Sequence, residues 1–191
     1  MGIIRVAAAV LALIIFGIGE QAAAQTPGQQ VQETIQQVTA IVGSPAGGES
    51  EWRDAVKRVL SPRFDWNEMA RQSLGKNWPS ATAKQREFVA TFTEFMGNSY
   101  IGQIGSYKDE KIIYIGERRD SNRAQVDTKL VPAKGDPLSV NYKLHQVDGD
   151  WKIYDVVIAD ISLVNNYRSQ FNRIIAKSSF EDLLKQLREK E

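Results

Sequence analysis

Cysteine is absent from this 191-residue chain, and histidine occurs once, as His145. Without cysteine no disulfide can staple the fold in an oxidising compartment, so stability must come from packing. With one histidine there is no paired-histidine metal site, and no carboxylates cluster at ligand spacing to replace it. No glycine-rich loop of nucleotide-binding form occurs, and there is no internal repeat or low-complexity tract. An excess of charge is also lacking: 24 Lys+Arg against 23 Asp+Glu leave a formal net charge of +1. That balance argues against nucleic acid as a partner, which usually demands a strong basic field. Finally, no apolar run reaches the ~20 residues that span a bilayer.

What is present begins with an address. Arg5 supplies a short positive region, Val6 to Ile18 is almost wholly apolar, and Ala22-Ala23-Ala24 offer small residues for cleavage before Gln25. Residues 1–24 are therefore expected to be an export leader, with no nearby cysteine to take a lipid. Residues 25–191, 167 in number, are expected to form a single soluble domain outside the cytoplasm.

Helical periodicity governs the first half. Val31, Ile35, Val38, Ile41 and Val42 share one face, as do Trp52, Ala55, Val56, Val59 and Leu60. The stretch from Gly43 to Gly48 separates the two as a loop. A third, short helix is expected between Asp65 and Gly75, and Thr82 with Gln85 reads as a capping box for a fourth. That fourth helix carries Phe88, Phe92, Phe95, Met96, Tyr100, Ile101 and Ile104, interrupted by Gly97, Gly102 and Gly105. These glycines either let the helix move or break to admit an occupant, or mark local kinking or helix termination.

Period two replaces it near Lys111. Strands are expected at about 111–118, 123–131, 138–147 and 150–160, joined by turns at 119–122, 132–137 and Asp148-Gly149. Helical spacing returns with Leu163, Tyr167, Phe171, Ile174 and Ile175, and a last helix is capped by Ser179. Helices, a meander, then helices is an α+β pattern.

Candidate chemistry is sparse. An acid or base set in an apolar pocket would mark a pocket enzyme. His145 falls on the polar face of its strand with Asn141 and Lys143, and reads as a solvated surface residue. Asp155 and Asp160 interrupt an apolar strand, and Asp155 reads as a bulge or an acceptor for neighbouring backbone. Arg118, Arg119 and Arg123 crowd one hairpin, either as a solvated turn or as a dock for a carboxylate-rich partner or anionic headgroup. Apolar surface is what the chain has in quantity. The fourth helix opposes a strand face of Val126, Leu130, Val140, Tyr142, Leu144, Trp151 and Ile153. Taken alone, those residues read first as a dry, interlocking core, with a lined cavity as the alternative.

Two blocks carry a family resemblance. Trp151 to Phe171 reads W-K-I-Y-D-V-V-I-A-D-I-S-L-V-N-N-Y-R-S-Q-F, and Phe64-Asp65-Trp66-Asn67-Glu68-Met69-Ala70 is followed by Leu74-Gly75 and Trp78. In type and order they resemble the MlaC, or toluene-tolerance, family of periplasmic phospholipid carriers, over roughly 64–187. Ala159-Asp160 departs from the Glu-Gly pair of many members, which bears on the geometry of that turn. The resemblance implies a curved four-stranded antiparallel sheet with helices over its concave face, of the nuclear-transport-factor-2-like type. It implies phospholipid tails held between sheet and helices by Phe92, Phe95, Met96, Tyr100, Ile101, Tyr167, Phe171 and the strand face named above. It implies a monomeric periplasmic shuttle with no cofactor, working between an outer-membrane lipoprotein complex and an inner-membrane ABC transporter with a periplasmic substrate-binding domain. A hopanoid cargo, or a pocket enzyme of the same fold, are the alternatives.

Overall fold

The computed structural model describes residues 25–44, 48–105 and 110–189. The expected leader at 1–24 and the middle of the first loop, 45–47, lie outside them. Six α-helices and five strands follow in the order α1 (Pro27–Gly43), α2 (Glu49–Leu60), α3 (Trp66–Leu74), α4 (Gln85–Ile104), β1 (Lys111–Asp120), β2 (Arg123–Val131), β3 (Leu138–Val147), β4 (Asp150–Ile158), β5 (Ile161–Ser162), α5 (Leu163–Lys177) and α6 (Phe180–Arg188). The strands form one antiparallel meander in sequence order. The fold is α+β, as the pattern predicts, with one strand more than expected. The expected fourth strand ends at Ile158 because Ala159 and Asp160 both take positive φ, 47° and 64°, and turn the chain into the short β5. Two successive left-handed residues suit glycine and asparagine best, so Ala159 holds a strained position.

Local signals set the helix ends. Thr26 and Gln29 form a capping box on α1, with Pro27 in its first turn. Asp65 caps α3 by accepting from the Glu68 N–H at 2.9 Å. Gly75 ends that helix at φ 53°, and a side chain there would meet the Arg168 Cδ at 3.1 Å. Arg168 Nε in turn donates to the Gln72 carbonyl at 2.6 Å, tying α5 to α3. The expected capping box at Thr82 does not form. A 3-10 turn, Pro79–Lys84, leads straight into α4, and the Gln85 amide donates to the Trp78 carbonyl instead.

Cross-strand register defines one helix-covered sheet face. Val126 lies opposite Tyr142, Thr128 opposite Val140, Leu144 opposite Ile153 and Ile112 opposite Leu130. The dry core fills one end of that face. Phe88, Phe92, Met69, Leu74, Leu144, Val126 and Leu183 are fully buried there. Its aromatic rings meet edge to face: Phe92 on Tyr167 at 6.3 Å and Phe95 on Tyr167 at 5.5 Å between centroids. Such pairs add about 0.5–1.5 kcal/mol each beyond burial.

Candidate functional site: an apolar cavity between sheet and helices

The other end of the same face is not filled. A cavity of about 460 Å³ opens between α1, the end of α2, the C-terminal half of α4 and the sheet. That volume falls among those of small-molecule sites. Helix α4 changes role along its length. Phe88, Phe92 and Phe95 lie in the dry core, whereas Met96, Tyr100, Ile101 and Ile104 line the cavity. The strands divide at the same level. Leu130, Val140 and Tyr142 line the cavity, and Val126, Leu144, Trp151 and Ile153 pack below it. Tyr167 and Phe171 belong to the packed side as well, and the Tyr167 hydroxyl meets that of Tyr100 at 3.2 Å across the boundary.

Three of the wall's polar residues have their hydroxyls occupied. Thr34, Thr93 and Thr128 line the cavity, yet each hydroxyl donates to a main-chain carbonyl, of Gln30 at 2.7 Å, Val89 at 2.8 Å and Val140 at 2.7 Å. Spent in this way, these hydroxyls have no proton left to donate to an occupant. Burial pushes the Tyr142 hydroxyl up to about 12, against a lesser lowering by its bond with Thr128. Tyr167 is raised too, by burial first and then by its bond to Tyr100.

One side of the cavity was not foreseen as a wall. Val31, Ile35, Val38 and Val42 of α1 line it, as do Leu60, Phe64 and Trp66. Their helical spacing is legible in sequence, but it reads as an ordinary packing face. Helix α1 is fixed at its N-terminus: Gly28 N donates to Glu117 Oε2 at 2.6 Å, and the Gln30 amide donates to the Trp151 carbonyl at 2.6 Å. A carboxylate there also suits the positive end of the helix.

Gly97 and Gly102 do not break α4, which runs unbroken to Ile104, and Gly105 follows its last residue. They make room for α2. A methyl on Gly97 would touch Lys57 at 3.5 Å, on Gly102 the Arg53 guanidinium at 3.2 Å, and on Gly105 the Trp52 ring at 3.1 Å.

Of the candidate reactive groups, His145 and Asp155 have partners within the fold. His145 is on the polar face, as its spacing predicts, but it is not a solvated residue. It is four-fifths enclosed, bonds Asp65 Oδ2 through Nε2 at 2.9 Å, and lies against Tyr154 at 5.1 Å. The cause is the Phe64–Asp65 segment, which runs beside β4, with the Asp65 N–H donating to the Ile153 carbonyl at 2.8 Å. Asp155 sits next to a bulge in the β3–β4 pairing and is buried. Its carboxylate accepts from Lys143 Nζ at 3.2 Å, the Ser162 hydroxyl at 2.7 Å and the Val164 N–H at 3.2 Å, and so holds the start of α5. Asp160 is exposed in its turn. Around the arginine hairpin, Arg118 pairs with Asp127 at 3.3 Å, Arg119 with Glu117 at 2.5 Å, and Arg123 lies over the Tyr154 ring at 5.6 Å. Beside it the edge strand β1 leaves Ile113 and Ile115 47% and 56% exposed. Among the described residues no His, Cys, Asp and Glu gather as a metal site, and no helix is long and apolar enough to cross a membrane.

With this geometry in view, the chain can be compared with known proteins. The MlaC protein family matches residues 29–189. The intermembrane phospholipid transport system binding protein MlaC of Haemophilus influenzae is 26% identical over 143 residues, covering 72% of this chain and 67% of that protein. The toluene tolerance protein ttg2D of Pseudomonas putida is 26% identical over 163 residues, 78% of this chain and 73% of its own. A phospholipid-binding protein from Ralstonia solanacearum, solved in complex with a phospholipid, superposes with a TM-score of 0.77 at 22% identity, covering 87% of this chain and 97% of that one. At that identity the match speaks for the fold.

Proposed function

This chain belongs to the MlaC family, and from that premise we propose that it is a periplasmic phospholipid carrier, exported by a leader at 1–24. The observation that carries the reading is the cavity itself: an apolar chamber continuous with a dry core, in a fold shared with a phospholipid-bound protein. Its purpose follows from transfer energetics. Each methylene taken out of water is worth ~0.8 kcal/mol, so two tails of ordinary length represent roughly 20 kcal/mol. A phospholipid does not cross an aqueous compartment against that barrier. The carrier substitutes an apolar wall for the membrane, and no covalent step is required.

The partners follow the family too: an outer-membrane lipoprotein complex at one end and an inner-membrane ABC transporter at the other, serving outer-membrane lipid asymmetry. A partner's carboxylates would have to compete with Asp127 and Glu117 for Arg118 and Arg119. The deciding experiment is organic extraction of freshly isolated periplasmic protein, followed by mass spectrometry. One two-tailed phospholipid per chain is expected. A polycyclic triterpenoid in its place would change the cargo, and repeated absence of any lipid would overturn the carrier reading.

A further inference from the structure

We propose that the edge strand β1 docks the protein on a bilayer surface that carries anionic phospholipid. This goes beyond the carrier reading and does not depend on what fills the cavity. Ile112, Ile113, Tyr114, Ile115 and Ile161 are the exposed large hydrophobic residues among those described. Four of the five are consecutive in β1, at 40%, 47%, 37% and 56% exposure. Single apolar residues on a surface are ordinary, but a contiguous run marks a place that meets a protein or a membrane.

Register assigns these side chains to faces. Ile112 lies opposite Leu130 and lines the cavity, so alternation turns Lys111 and Ile113 to the outer face of the sheet. Lys129 is the cross-strand neighbour of Ile113 on that face. Ile115 is the extra residue of a bulge, since Tyr114 pairs with Thr128 and Gly116 with Asp127. A bulge and an edge lysine are devices that keep a sheet from adding another strand. The backbone of β1 is therefore blunted against strand addition while its side chains stay apolar. A bilayer needs only the side chains. Tyr114 fits such a boundary, with an apolar ring and a polar hydroxyl.

Charge selects the kind of bilayer. Lys111 and Lys129 flank Ile113, both are exposed, and neither has an ion-pair partner among the described residues. The nearby acids are engaged elsewhere: Asp127 with Arg118, and Glu117 with Arg119 and the Gly28 N–H, while Glu110 lines the cavity. Asp120 lies at the far end of the strand, and Lys134 and Asp136 offset one another in the turn after β2. Isoleucines framed by unpaired ammonium groups match a boundary where acyl chains begin beneath a layer of phosphates. Ile112, between Lys111 and Ile113 in the chain, belongs to the cavity wall, so a bilayer taken up at this edge borders the chamber.

The test is flotation of the purified protein with vesicles of phosphatidylglycerol and phosphatidylethanolamine, and with vesicles of phosphatidylcholine alone. The wild type should float with the first at low salt, and less as salt rises. Lys111→Gln combined with Lys129→Gln should weaken that binding about 25-fold, at about fivefold for each lysine. Ile113→Ser combined with Ile115→Ser should weaken it at least tenfold. All four positions are exposed, so thermal melts should keep the wild-type midpoint. Because the chain has no cysteine, a polarity-sensitive dye on Ile115→Cys reports the contact directly. Its emission should move to the blue with the anionic vesicles, and the same dye on Gln186→Cys of α6 should not respond. A wild type that stays in the lipid-free fraction, binding unmoved by both pairs of substitutions, or an unshifted dye at position 115 would each overturn the proposal. So would dimerisation that the isoleucine substitutions abolish in a protein that ignores vesicles, which would give this edge to a second copy of the chain.

Discussion

A carboxylate introduced at two positions of β3 should have two different consequences, although both side chains point to the same sheet face. Val140 lines the cavity, whereas Leu144 is 0% exposed in the dry core against Val126 and Ile153. Leu144→Asp removes a packed side chain, at about 2–5 kcal/mol even for truncation alone. It adds an unpaired buried carboxylate costing several kcal/mol more, or one kept neutral at a comparable penalty. The sum approaches the whole stability of an ordinary domain, roughly 5–15 kcal/mol. This variant should lose its cooperative melt. Val140→Glu instead extends into an open chamber, where water can hydrate the carboxylate as long as no lipid is present. The fold should survive, but tails must then either give up several methylenes of contact at ~0.8 kcal/mol each or bury the charge. Retention should fall at least a hundredfold. Circular dichroism melts and native mass spectrometry of both variants decide it. A Leu144→Asp protein that melts like the wild type, or a Val140→Glu protein that folds and keeps its full lipid, would refute the division between core and cavity.

Gly28→Ala should destabilise by about 1–3 kcal/mol, because its methyl would lie 2.5 Å from Glu117 Oε2 and 2.9 Å from the Tyr114 hydroxyl; a thermal melt measures it, and an unchanged midpoint would show that α1 is not anchored there. Stability should fall as pH rises from about 10 to about 12, since the neutral form of Tyr142 is favoured in the fold and its ionisation, at about 12, lags that of the unfolded chain. Denaturant titrations of wild type and Tyr142→Phe across that window should show a shallower decline in the variant, and identical slopes would remove Tyr142 from the account. His145→Ala should cost about 1 kcal/mol through loss of the Asp65 bond while leaving lipid transfer between vesicles intact; a hundredfold loss of transfer with the fold preserved would mark a proton-transfer role instead.

Periodicity was enough to locate the helices and the main strands, because each buries a face whose spacing is written locally. The elements it misread depend on contacts far away in sequence. Thr82 and Gln85 have the spacing of a capping box, but Gln85 finds the Trp78 carbonyl once a 3-10 turn forms there. His145 alternates with polar residues, and nothing within its strand announces that Asp65 will arrive from a segment 80 residues away. Gly97 and Gly102 have no reason within α4; theirs is Lys57 and Arg53 on another helix. Among the residues expected to hold lipid, those of the C-terminal half of α4 and the outer strand ends face the cavity, and the rest pack beneath it. Phe92 and Met96 are both simply apolar, one turn apart, so no residue type distinguishes them.

What separates core from cavity is the extent of the covering helices. Phe88 and Phe92 are met by Phe171 of α5, and Phe88 also by Phe180 of α6, so the apolar face of the N-terminal half of α4 is covered. Beyond Met96 the partners change to α2, which reaches α4 across its glycines, and α1, anchored to the sheet at Gly28 and Gln30. From Thr34 to Val42 that helix borders the open space. Two functions are thereby kept apart. Aromatic packing at one end holds the fold whether or not the other end is occupied, which a carrier that empties and refills needs. Had the cavity been placed at the centre of a single core, each release of cargo would leave a void costing about 24 cal/mol per Å³. A void of about 460 Å³ would then threaten the fold at every turnover. Set beside an intact core and open to solvent at its rim, the same volume can stand empty without threatening the fold, as the proposed carrier role requires.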